Sequence, residues 1–75
     1  MPEFEVPYVK RDHLALWHDY WESGSPSEEA RRTHAKGNAL GLTVMVVASN
    51  ATEAGEQVER NNPGFVALRK HIRRY

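Results

Sequence analysis

The stretch Leu42–Phe65, LTVMVVASNATEAGEQVERNNPGF, decides how this chain is read. Leu42 to Ser49 is apolar on both alternating faces, with Leu42, Val44, Val46 and Ala48 on one and Met45 and Val47 on the other. A strand apolar on both faces is usually central in its sheet, so a central strand is expected here. Asn50 can then cap a helix, with Glu53 at the reciprocal position of a capping box. Ala51, Ala54 and Val58 share one face of that helix, Ala51 to Asn61. Asn61-Asn62-Pro63-Gly64 is a dense turn signal that ends it. Phe65 to Ile72 is read as the last strand, from Val66, Leu68 and Ile72. The spacing of Phe65, Leu68 and Ile72 also suits a helix begun at Asn62-Pro63, and that alternative stays open. So short a strand–helix–strand link favours parallel pairing through a right-handed crossover.

Working outward, Glu3 to Val9 has period two: Phe4, Val6 and Tyr8 on one face, Glu3, Glu5 and Pro7 on the other. Pro7 has no N–H to give a ladder, which assigns this strand to an edge. In Asp12 to Glu22, Leu14, Trp17, His18 and Trp21 fall at i, i+3, i+4 and i+7, the stripe of an amphipathic helix. Asp12 would cap it and Gly24 would stop it. A strand over the same residues would set Trp17 and Trp21 opposite Leu14 and Leu16, so helix is favoured. Ser25-Pro26-Ser27-Glu28 then signals a second helix, with Ser25 as cap, Pro26 at the first position and Glu28 closing a capping box. It runs to about Leu40 and carries Ala30, His34, Gly37 and Leu40 on one side. The whole, residues 1–75, reads as a single small α+β domain. Its order is β–α–α–β–α–β, with a three-stranded sheet covered by helices. Leu42, Val44, Val46 and Val58 are expected in the core with Phe4, Val6 and Leu68.

A chain of 75 residues makes one domain. A domain of this size buries only about 60% of its unfolded surface, and such scaffolds usually need a staple. There is no cysteine, so a disulfide cannot supply it. A second copy could, and a homodimer through an open sheet edge is expected. Ten Lys plus Arg balance ten Asp plus Glu. Zero net charge argues against both an acidic nucleic-acid mimic and a broad nucleic-acid binder. The charge is unevenly spread, however. The final RKHIRRY holds four cations and no carboxylate, whereas Ala51 to Asn61 holds three Glu and one Arg. The opening MPEFEVPYVKRDH lacks an apolar h-region. The longest apolar run, Val44 to Ala48, is far short of the roughly 20 residues a membrane span needs. A cytoplasmic protein with no membrane partner is expected.

His13, His18, His34 and His71 raise the question of a metal, but the closest pair is five apart and would face different sides of a helix. No metal site is expected. His18-Asp19 and Asp12-His13 could suggest acid–base work. Adjacent helical residues point apart, however, and a general base needs an orienting partner and a substrate pocket. Neither catalytic residues nor a cofactor are expected. The aromatic cluster LWHDYW can be core or a binding hot spot: Trp17 and Trp21, one turn apart, favour core, at least one of them is expected there, and Tyr20 lies off their stripe. Tyr and Arg are favoured at binding hot spots. Tyr20, His18 and the cations Arg69, Lys70, Arg73 and Arg74 are therefore the candidate partner-binding residues. Asn50-Ala51-Thr52 matches a glycosylation sequon but is read as a helix cap.

The residues Val46 to Ala48, Asn50, Ala51, Glu53, Ala54 and Asn62 to Gly64 resemble a pattern of short accessory proteins of bacteriophages and mobile elements. In these a valine-rich strand, a small residue, an Asn-Ala-x-Glu-Ala helix start and an Asn-Pro-Gly turn lead into a last strand. The resemblance covers about a third of the chain and carries over no site residue. It implies an accessory role, such as a phage-encoded protein that binds and inhibits a host protein. A non-enzymatic protein-binding accessory or inhibitor is therefore the expected function. The alternative is a small nucleic-acid-associated regulator that uses the basic C-terminal segment.

Overall fold

A computed structural model describes residues 1–75. The elements are β1 (Glu3–Lys10), α1 (Leu14–Glu22), α2 (Glu28–Ala35), β2 (Thr43–Val47), α3 (Ala51–Asn61), β3 (Phe65–Ala67) and β4 (Arg73–Arg74). Single 3-10 turns at Arg11–His13 and Arg69–His71 precede α1 and β4. The class is α+β, as the periodicities indicate, with three helices against an antiparallel sheet of four strands rather than three.

The strand order corrects two expectations. β1, the strand with Pro7, is central: β2 lies along one side and β3 and β4 along the other, all antiparallel to it. β2, expected to be central, is an edge strand. Pro7 is tolerated because of what lies opposite. The carbonyls of Glu3 and Pro7 accept from Tyr75 and Leu68, while the N–H of Tyr8 turns the other way, to Leu42. Odd positions of β1 thus bond toward β3 and β4, and the N–H that Pro7 lacks would point there too. That is where the C-terminal strand is broken. Tyr8 pairs with Ala67 and Glu5 with Arg73, so only Val6 and Pro7 face the excursion Leu68–Ile72. The same excursion turns the expected strand Phe65–Ile72 into β3, a 3-10 turn and β4. β2 and β3 are parallel to each other, as the short crossover implies, but β1 separates them.

Two cores form on the two faces of the sheet. On one, α3 sets Ala54 and Val58 against Phe4, Val6, Ala48 and Ala67. The Asn50 side chain accepts from Glu53 N at 2.9 Å, the cap its sequence promises. The Glu59 carboxylate leaves α3 to accept from Ala67 N at 3.0 Å and from Arg69 Nη2 at 2.7 Å, fixing the helix to β3 and the turn after it. On the other face, α1 and α2 cover only the Val9 end, where Val9, Trp17, Ala30, Leu40 and Leu68 are buried together. Val6, Phe4, Val58 and Leu68 are core as expected, whereas Leu42, Val44 and Val46 are half-buried.

Helix ends also differ from their sequence signals. α1 starts at Leu14, after the 3-10 turn, and Asp12 makes no cap. Ser27, not Ser25, caps α2, its hydroxyl accepting from Ala30 N at 3.1 Å. α2 ends at Ala35 rather than near Leu40. Gly37 (φ 69°) and Asn38 (φ 57°) follow in the left-handed region, which glycine and asparagine adopt at least cost. Their turn lowers Leu40 into the core, where it is completely buried.

Candidate binding site

α1 has a groove on each side. The first lies between α1, the turn after α2 and the start of β2. It has a volume of about 370 Å³, and its walls include Pro7, Trp17, Trp21, His34, Leu40 and Leu42. Trp21 stands at its mouth, 52% exposed. Its Nε1 donates to the carbonyl of Leu40, which anchors the indole by its polar edge. The His34 ring lies 4.5 Å from Tyr20 and 5.9 Å from Trp21. Tyr20 in turn meets Trp21 edge-on at 4.9 Å. Offset and edge-on aromatic contacts of this kind stabilise beyond their buried area, so the wall is stiff. Gly41 makes the close approach possible: a Cβ there would sit 3.0 Å from His34 Cε1.

The second groove lies between α1 and the 3-10 turn before β4. Its volume is about 380 Å³, and Leu14, His18, Glu22, Leu68, Lys70 and His71 are among its walls. Glu22 binds two histidines at once, with Oε1 2.7 Å from His18 Nδ1 and Oε2 3.0 Å from His71 Nε2. The His18 hydrogen bond, and after it the His71 one, hold the Glu22 carboxyl below the usual carboxylate range. Asp19 is held low as well, first by its hydrogen bonding to Ser27. Both carboxylates serve structure: Glu22 clasps α1 to the C-terminal turn, and Asp19 accepts from Ser27 N at 3.0 Å, closing the α1–α2 link.

The six residues singled out in the sequence do not form one patch. His18 and Lys70 line the second groove, and so does Arg69, whose guanidinium is held by Glu59 and the Thr52 carbonyl. Arg73 and Arg74 are exposed on β4. Tyr20 is two residues, or about 200°, around α1 from His18, and lies half-buried against His34 and Trp21, outside the lining of the first groove. One tryptophan, Trp17, is core as expected, but the aromatic left exposed is Trp21, while Tyr20, expected at the surface, is half-buried. The available signal was the shortness of the 23–27 link, which folds α2 back along the Tyr20 side of α1. The part played by His34, Leu40 and Gly41 depends on the turn at Gly37-Asn38.

No helix is long and apolar enough to cross a membrane. No family model matches the chain, and no curated protein or solved structure is significantly similar to it.

Proposed function

We propose that this is a non-enzymatic protein-binding protein that seats an apolar side chain of its partner in the groove beside Trp21. The observation that carries this reading is a half-exposed tryptophan, tied down by its own N–H, at the mouth of a preformed and largely apolar groove. Rigid aromatic anchors at the rim of such a pocket supply a large share of binding energy at protein interfaces. Asn38 and Thr43, also on the groove wall, offer polar groups that would orient the partner's backbone. An accessory or inhibitory role on a host protein, in the cytoplasm, is the setting we assign to it. It follows from the resemblance to short phage and mobile-element proteins.

The test uses a partner recovered by pull-down, with binding followed by tryptophan fluorescence. Trp17 is buried, so a blue shift on binding reports Trp21. Trp21→Ala is expected to weaken binding by about 2 kcal/mol, roughly 30-fold, with little dependence on salt. A nucleic-acid role would instead rest on Lys70, Arg73 and Arg74, since Arg69 is engaged by Glu59. Affinity that survives Trp21→Ala, falls on reversing the charge at Arg73 and Arg74, and drops steeply with salt would replace the protein-binding reading.

A further inference from the structure

We propose that two copies of this chain join edge to edge through β2, forming one continuous antiparallel sheet across a two-fold axis at Met45. The inference goes beyond the groove reading; the two share only the start of β2, where Thr43 borders the groove, and neither Trp21 nor His34 takes part in it. β2 bonds to β1 through its even positions, since Val44 and Val46 face Val6 and Phe4 and the Leu42 carbonyl accepts from Tyr8. The N–H and C=O groups of Thr43, Met45 and Val47 therefore point outward, away from the sheet. All three residues are exposed. Edge strands are normally blunted by lysine, proline, a bulge or a covering element. β2 has none of the first three in its sequence, TVMVV, and its paired neighbour β1 lies on the other side.

A second copy fits this edge for three reasons. The strand is close to its own mirror in residue type. Antiparallel pairing centred on Met45 sets Met45 against Met45, Val44 against Val46, and Thr43 against Val47. β-Branched pairs of that sort are favourable across strands. The outward groups of Thr43, Met45 and Val47 then meet their counterparts in about six backbone hydrogen bonds.

Charge is the second reason. No residue from Gly37 to Thr52 is charged, so nothing at the edge repels its copy. The nearest carboxylate on the Met45 face is Glu5, the cross-strand neighbour of Met45, with Arg73 beyond it. Across the axis the two Glu5 residues would be three strand spacings apart, about 14 Å. That exceeds the screening length of about 8 Å at physiological salt.

The third reason is the exposed apolar row. α1 and α2 cover only the Val9 end of their face, which leaves Met45 at 41% and Val47 at 49% exposure beside Glu3 and Glu5. Directly opposed residues of an antiparallel pair share a face. Pairing therefore brings the Met45 and Val47 side chains of both copies into one apolar strip. Closed two-fold association of identical patches is the commonest form of homo-oligomer.

The test is sedimentation equilibrium of the full chain between about 5 and about 500 µM, the range suited to a small interface. The apparent mass should rise from 8.6 kDa toward twice that value. Met45→Lys sets two ammonium groups face to face at the axis, and Met45→Glu sets two carboxylates there. Each alone should weaken the dimer at least about tenfold. An equimolar mixture of the two should restore it. Met45 is exposed, so both variants should keep the parent's circular dichroism and, at the low-concentration end where the parent is a monomer, its melting temperature. Trp21→Ala should leave the mass curve unchanged, which separates this proposal from the groove reading. A wild-type mass fixed at 8.6 kDa, a Met45→Lys variant as associated as the parent, or a mixture no more associated than its components would each overturn the proposal.

Discussion

Leu40→Ala is the most severe test of how the α1–α2 face is built. Leu40 is completely buried, and it reaches its place only because the chain leaves α2 through the left-handed pair Gly37-Asn38. It packs with Val9 from the sheet, Trp17 from α1, Ala30 from α2 and Leu68 from the C-terminal excursion. Truncation removes three carbons, worth about 0.8 kcal/mol each in transfer, or about 2.4 kcal/mol together. The space left behind adds to this unless the neighbours collapse into it, and buried Leu→Ala changes reach about 5 kcal/mol. Collapse is hindered here. Trp17 is held in an aromatic stack with Trp21 at 6.4 Å and with His71 at 5.0 Å, and Leu68 N is bonded to Pro7 O. A loss of about 3–4 kcal/mol is therefore expected.

For 75 residues a total stability of roughly 4–11 kcal/mol is typical, so this single change removes about a quarter of it or more. The assay is urea unfolding followed by circular dichroism, with the slope compared between variant and parent. Should Leu40→Ala prove unfolded before denaturant is added, Leu40→Val, expected to cost about 1 kcal/mol, keeps the measurement possible. Val47→Ala is the control: its side chain is half exposed, and the change should stay within about 0.5 kcal/mol. A Leu40→Ala loss below about 1 kcal/mol with unchanged slope would mean that the turn at 37–38 does not deliver Leu40 to the core.

Two further outcomes follow from the same geometry. Pro7→Ala should cost no more than about 1 kcal/mol, through the freer unfolded chain, whereas Glu5→Pro, at an odd position with Arg73 opposite, removes a ladder donor and should cost about 1–3 kcal/mol; equal urea midpoints for the two would refute the account of the break at Leu68–Ile72. Because the Glu22 carboxyl is held low in the fold, its contribution is complete above the ordinary carboxylate range and is lost as pH falls through the folded value; thermal melts from about pH 6 to about pH 3 should therefore fall less steeply for Glu22→Gln than for the parent, and parallel curves would show that the clasp on His18 and His71 contributes nothing.

Local signals survived into the structure where local chemistry decides them. The Asn50 cap, the stop at Asn61-Asn62-Pro63-Gly64 and the inward face of Ala54 and Val58 needed only the residues at hand. The element order followed from them. Strand position did not, because it depends on groups distant in sequence. Pro7 reads as an edge marker unless one knows that the opposite strand is interrupted. Nothing within Glu3 to Val9 announces an excursion 60 residues later. The candidate site was legible only in part. The LWHDYW cluster drew attention to the right helix, but which aromatic stays in water depended on where α2 folds back. His18 and Glu22, one turn apart, could have been paired from spacing alone; His71 could not.

β2 is apolar on both faces yet lies at the edge of the sheet. Apolar residues on both faces of a strand normally mean cover on both sides, the mark of a central strand. In the single chain only one side has it: Val44 and Val46 pack toward α3, while Met45 and Val47 meet water. A monomer thus carries a sequence suited to a deeper position in a sheet than it occupies. Edge-to-edge pairing places β2 at the centre of an enlarged sheet, bonded on both sides, and gives Met45 and Val47 apolar neighbours. Substitution at Met45 then separates two accounts. If β2 is only a tolerated edge, Met45→Lys should make the chain more soluble and change nothing else. If the strand is built for a central place, the same change should also lower the apparent mass and flatten the rise of melting temperature with protein concentration that a dimer imposes by mass action.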